Sequence, residues 1–196
     1  MTIFTDIKES AAGRELSLRW YRERVRALGQ LKPDKIIREG KKDSTARIRP
    51  TYGMLNLFFY FPEKPERLSY YDMFPLTLPV VKHNNGFTGL NFHYLSVPMR
   101  VKLLEIISGG FGDETSQQVN VTYSKIKRHS YVKPTIRRYK ANHVGSLFLQ
   151  IPLEDMLLAA ILPVQAFYKG RLEAKTMVSP EEVWRDSRRI INYGTR

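Results

Sequence analysis

Four histidines, His83, His93, His129 and His143, are the side chains of this sequence best suited to proton transfer or metal ligation at neutral pH. Their spacing argues against both. No two stand four residues apart with a carboxylate beside them, the arrangement by which one helical face holds zinc, so each is expected to be structural or on the surface. Glu154-Asp155 and Glu181-Glu182 fall where helices are expected to begin, and there negative charge offsets exposed backbone amides. Asp113-Glu114 sits in a polar loop but supplies too few oxygens for calcium, which takes about six to eight. Ser108-Gly109-Gly110-Phe111-Gly112 lacks the lysine and hydroxyl of a phosphate-binding loop and follows an expected helix rather than a strand. The sequence has no cysteine, which removes thiolate nucleophiles, disulfides and cysteine-held metals. The expectation is a protein with no metal, no cofactor and no catalytic centre.

Charge is the stronger signal. The chain of 196 residues carries a net +13, unevenly placed. Residues 1–49 hold 13 Lys+Arg against 7 Asp+Glu, residues 50–95 hold 3 against 3, residues 96–152 hold 9 against 3, and residues 153–196 hold 7 against 6. Two basic blocks therefore flank a neutral centre rich in aromatic residues. An excess of this kind favours contact with nucleic acid or with an acidic protein surface. Within the blocks, Arg22, Arg26, Lys125, Lys127, Arg128, Arg137, Arg138 and Lys140 are the candidate contacts to phosphate or to an acidic partner.

The elements that must position these residues follow from periodicity. Residues 16–28 place Leu16, Trp20, Val25 and Leu28 at helical spacing between arginines, and Gly29 ends the pattern. Residues 31–50 then read as a polar connector with a short apolar piece at Ile36-Ile37. An opening strand at residues 46–49 is followed by aromatic or apolar runs at 54–61, 76–81 and 87–94, with prolines and an Asn84-Asn85-Gly86 turn between them, which predicts short antiparallel strands and a hairpin. Pro79 suggests an edge strand or a bulge. Tyr70, Tyr71, Phe74, Phe87, Phe92 and Tyr94 are expected to pack as core rather than to stack on bases.

Beyond residue 95 the pattern turns helical. A helix beginning near Pro98 runs through Ile107, residues 123–129 and 134–143 read as short basic helices, and residues 147–151 read as a strand returning to the sheet. A helix then runs from Pro152 to Leu162, and Ser179-Pro180-Glu181-Glu182 opens the last one with a serine cap. The expected fold is α+β in one domain: an N-terminal helix and connector over 1–45, a small antiparallel sheet or partly open barrel over 46–95, and a mainly helical region over 96–196. No apolar run is long enough to span a membrane, and no leader peptide is expected at Met1.

Gly53-Met54-Leu55 leading to Tyr60, then YYDMFPL at 70–76 and NGFTGLNFHYL at 85–95, form a distinctive order. With residues 151–163 and Val183-Trp184, it resembles a group of small virion proteins of T-even-type and marine tailed bacteriophages across most of residues 14–190. Some members of that group carry the label of DNA end protector. The resemblance implies a structural protein of the neck, tail, baseplate or head, assembled in the host cytoplasm and bound to other phage structural proteins. Its alternative implication is a DNA-binding protein that shields packaged genome ends, and a nucleic-acid-processing enzyme is a third. The group's pattern supplies no catalytic residue.

Overall fold

The structure, a computed structural model, describes residues 32–42, 45–108, 124, 127–170 and 176–193. The expected helix at 16–28 lies outside them. Among the described residues the order is α1 (Pro33–Lys42), β1 (Ala46–Arg47), β2 (Leu55–Leu57), β3 (Tyr70–Asp72), β4 (Leu76–His83), β5 (Gly86–Asn91) and α2 (Val97–Ser108). There follow β6 (Ile136–Tyr139), β7 (Phe148–Ile151), α3 (Met156–Ile161), β8 (Phe167–Lys169) and α4 (Pro180–Tyr193). The fold is α+β. Six strands form one antiparallel sheet in the order β1-β7-β2-β4-β5-β6, while β3 and β8 pair separately.

The register explains why the sheet has two unlike faces, because successive side chains on a strand point in opposite directions. Leu57 lies opposite both Leu76 and Leu149, Leu55 opposite Ile151, and Leu78 opposite Leu90. These leucines and isoleucines are buried against the helices. Ile36 and Ile37 of α1, Leu103 and Ile107 of α2, and Leu158 and Ile161 of α3 complete that core. The residues between them build the other face. Asn56 lies opposite Thr77 and Gln150, Thr77 opposite Asn91, and Phe87 opposite Tyr139. Phe58, Tyr60, Phe87, Tyr139 and Phe148 form a second cluster there. Phe58 sits within 4.7–6.5 Å, centroid to centroid, of each of the other four rings.

Several expectations change in contact with this topology. Residues 136–139, read as part of a basic helix, are the strand β6, because tertiary pairing with β5 overrides the local pattern and Tyr139 stacks on Phe87 at 5.1 Å. Pro33–Lys42, read as a connector, is a helix in which Ile36 and Ile37 supply the buried face and Gly40 lets it lie against Leu149. The strand expected at 87–94 ends at Asn91, whose side-chain oxygen accepts from the His93 amide and turns the chain into a short 3-10 helix. The run at 54–61 forms ladder pairs over Leu55–Leu57 and one further bridge at Tyr60. Pro79 lies in an interior strand, where the register shifts between residues 79 and 81, so it marks a bulge and not an edge.

Other readings hold. The 147–151 strand is β7, inserted between β1 and β2, and Ser179 caps α4 by accepting from the Glu182 amide at 3.3 Å. The Asn84-Asn85 turn joins β4 to β5, and Gly86 has φ +129°, a region open to glycine. A Cβ at Gly86 would collide with the carbonyl oxygen of Tyr139 on β6. Replacing Gly86 by valine should cost roughly 2–3 kcal/mol or more from backbone strain and that collision together, lowering the thermal midpoint by several degrees. A midpoint equal to wild type would refute the turn geometry.

Candidate nucleic-acid interface

A cleft of about 660 Å³ opens along β6, and every residue of that strand lines it. The opposite wall is the segment from Pro62 to Asp72, which includes a 3-10 turn over Pro65–Arg67 and the strand β3. Gly170, just after β8, holds this wall in place. It donates its amide to the Ser69 carbonyl, and a side chain there would strike the carbonyl oxygens of Pro65 and Leu68.

Five cations line the cleft: Lys64 and Arg67 from one wall, Arg137, Arg138 and Lys140 from the other. Lys140 pairs with Glu63. Among the described residues no carboxylate forms a salt bridge with the remaining four. Arg137 is the most firmly set of them: its guanidinium lies 3.7 Å from the centroid of the Tyr94 ring, and its Nη1 donates to the Ile136 carbonyl at 2.7 Å. A planar guanidinium pinned on a ring loses little freedom when it meets an anion, which suits phosphate. Beneath it, Tyr94 is buried and turned toward the Tyr70 carbonyl, and the Tyr70 hydroxyl donates to Asp186 of α4 at 3.1 Å. Burial, reinforced by Asp186, pushes the Tyr70 phenol well above its ordinary range, so it stays a neutral donor.

Asp72 and Asn91, both buried at the base of the cleft lining, belong with His93 to a polar group that the spacing of residues in the sequence did not reveal. Asp72 accepts from His93 Nδ1 at 2.8 Å, from Asn91 Nδ2 at 3.1 Å and from the Phe74 amide at 3.0 Å. Burial alone would raise the Asp72 pKa, but the charge that His93 carries when protonated, together with these hydrogen bonds, outweighs it and holds the carboxyl below its usual range. Burial drives His93 the other way, below the ordinary imidazole value, against the pull of Asp72. The pair is therefore a carboxylate and a neutral imidazole donating through Nδ1. An aspartate–histidine pair resembles acid–base machinery, yet the His93 side chain is fully buried and its Nε2 touches no polar partner among the described residues. It braces the turn after β5, while its carbonyl accepts from Trp184 Nε1 at 2.9 Å. Among the described residues no group of three or more His, Asp or Glu is placed to hold a metal, and no helix is long and apolar enough to cross a membrane.

The candidate contacts separate clearly. Arg137, Arg138 and Lys140 come together in the cleft. Lys127 and Arg128 are exposed in a turn and do not line it. Arg22, Arg26 and Lys125 lie outside the described residues. Lys64 and Arg67 were not among the candidates, because they fall in a block whose charges cancel. A proline turn projecting Lys64 and Arg67 from a neutral run was the available signal. The aromatic residues behave as core, with Tyr71, Phe74, Phe87, Phe92 and Tyr94 all buried; Tyr70 is half-buried at the cleft.

Fold and cleft together define an α+β protein with an open, basic recess of a size suited to a small polyanionic segment. Residues 5–187 match the model of the phage T4 terminal DNA protecting protein family, and the chain belongs to that family. No curated protein and no solved structure matches it.

Titration of Asp72 and His93 makes the stability of the fold depend on pH. Below about pH 6.5 the unfolded chain protonates residue 93 while the folded chain, with its pKa depressed, does not. This contribution is therefore complete above about pH 6.5 and is lost as the pH falls toward the folded value, at up to about 1.4 kcal/mol per pH unit. Asp72, also depressed, adds a loss below about pH 4. Urea midpoints should fall from pH 7.5 to pH 5, and His93→Gln should be less stable at pH 7.5 with a shallower decline. An equally steep decline in that variant would show that His93 is not the source.

Proposed function

We propose that this protein binds DNA and covers the ends of a phage genome, acting without catalysis, with the cleft along β6 as its phosphate-binding surface. One observation carries the reading: Lys64, Arg67, Arg137 and Arg138 face one recess without a carboxylate salt bridge among the described residues, in a chain of a terminal DNA protecting family. Four cations held this way gain little from one another. A phosphate backbone offsets their mutual repulsion and releases the counterions it had condensed. The family supports a place in the particle or in the infected host, and a protector acts by occupying the end so that a nuclease cannot.

This reverses the order of the two leading expectations, since end protection now stands ahead of a purely structural role in neck, tail, baseplate or head. A permanent subunit joint calls for a packed apolar patch. The exposed large apolar residues among those described are few, and two of them, Leu68 and Ile190, line the cleft itself. Binding to other phage structural proteins remains part of the proposal, as the means by which a protector is carried with the genome it covers.

The test is protection and binding measured together. Linear duplex incubated with the protein should resist an exonuclease, and affinity should fall steeply with salt. Replacing Arg137 and Arg138 together by alanine should weaken binding on the order of tenfold or more, reduce the salt slope by about 2, and abolish protection, with the melting temperature little changed. Absence of DNA binding by the wild-type protein at low salt would sink the reading.

A further inference from the structure

The cleft is not equally lined throughout. Its cations stand on the two walls, whereas Leu68 on one wall and Ile190 on α4 present 39% and 46% of their surface to solvent at the same opening. Tyr70, half-buried, lies between the wall and α4 through its bond to Asp186. A duplex lying side-on against this face would offer only sugars and phosphates, and a blunt end would bring a whole base pair flanked by two backbones, so in either case the recess would be poorly filled. A volume of about 660 Å³ lies within the ordinary range of small-ligand pockets, roughly 300–1,000 Å³, a size that suits one or two nucleotides better than the full width of a double helix. An unstacked base, in contrast, brings an apolar face for Leu68 and Ile190 together with a phosphate for the arginines.

We propose that the cleft takes the last one or two nucleotides of one strand in unpaired form, with the base lodged against Leu68, Ile190 and Tyr70 and the adjoining phosphates on Arg67, Arg137 and Arg138. This rests on the DNA-end reading above and adds what part of the end is held: a frayed or overhanging strand, not the face of a blunt duplex. Arg137 is set for this task, since its guanidinium sits over the Tyr94 ring and lines the same cleft. The melted nucleotides need not be read by sequence. Every base has an apolar face, and no array of side-chain amides converges there for base discrimination among the described residues that line the opening.

The experiment compares three DNAs of one sequence: a blunt linear duplex, the same duplex with two unpaired nucleotides on each strand at its ends, and a covalently closed circle. Binding by fluorescence anisotropy at moderate salt should favour the frayed end over the blunt one by about tenfold, the order expected for one stacked base, and both over the circle. Ile190→Ser and Leu68→Ser, both at exposed positions, should bring the frayed end close to the blunt one with the melting temperature near wild type. Equal affinity of wild type for frayed and blunt ends, both above the circle, overturns this inference and leaves the end-binding reading intact. Equal affinity for all three, or no binding, overturns that reading itself. Discrimination that persists in both serine variants overturns the assignment of the base to this cleft.

Discussion

A guanidinium without access to water holds the framework together. Arg100, in the first turn of α2, is 0% exposed and donates from Nε to the Leu95 carbonyl at 2.7 Å, from Nη1 to the Ala160 carbonyl at 3.0 Å and from Nη2 to the His93 carbonyl at 3.4 Å. Gln165, with its amide oxygen turned toward Arg100, accepts from both Nη atoms at 2.6 Å. The Trp184 ring lies 5.4 Å away. Burying a cation costs several kcal/mol unless its donors are met, and here carbonyls from the turn after β5 and from the end of α3, together with the Gln165 side chain, meet them. Burial lowers the Arg100 pKa to about 9, which still leaves it charged at neutral pH, and the field of Asp72 opposes that fall. Three helices, α2, α3 and α4, thus converge on the turn after β5. That turn also carries His93 and Tyr94, so the residues that support the cleft floor are fixed from behind.

The form of the candidate surface follows from this support. A sheet with leucines on one face can give its other face to polar and aromatic residues, and this one does: Asn91, Arg137 and Tyr139 belong to the face turned away from α1, α2 and α3. Thr77 donates to the Tyr139 hydroxyl at 3.3 Å, and Tyr60 packs edge-on against the Tyr139 ring at 4.9 Å. The rings beneath the cations are consequently engaged with one another. Rigidity below and charge above is a sensible division for a site proposed to hold a polyanion without reorganising.

Much of the architecture could be read from residue types alone. Asn84-Asn85-Gly86 specified a hairpin because one glycine had to adopt positive φ, and Ser179-Pro180-Glu181-Glu182 specified a helix start because capping chemistry is local. The 147–151 strand was legible from its apolar run. What could not be read depends on partners distant in sequence. Ile136-Arg137-Arg138-Tyr139 carries no strand signal of its own and becomes a strand only beside residues 87–90. Arg137, Arg138 and Lys140 were singled out for their charge, yet their convergence with Lys64 and Arg67 is a product of topology. Summing charge over residues 50–95 cancelled Lys64 and Arg67 against Glu63 and Glu66, hiding half of the cleft. The buried Asp72–His93 contact spans 21 residues and was invisible for the same reason.

The strand order also sets a timetable for synthesis. β1 and β2 are neighbours in the chain, but β7 lies between them in the sheet, so residues 46–57 leave the ribosome long before their common partner at 148–151. At roughly 5–20 residues per second, the growing chain spends several seconds with that sheet edge unpaired. The cleft matures later still: its first wall is made early, its second with β6, and the pieces that brace and border them, β8 with Gly170 and the Ile190 turn of α4, follow after both. Translation therefore withholds the finished site until residue 190 has been made, and a nascent chain carries the positive charge of β6 before it has a shaped recess around it.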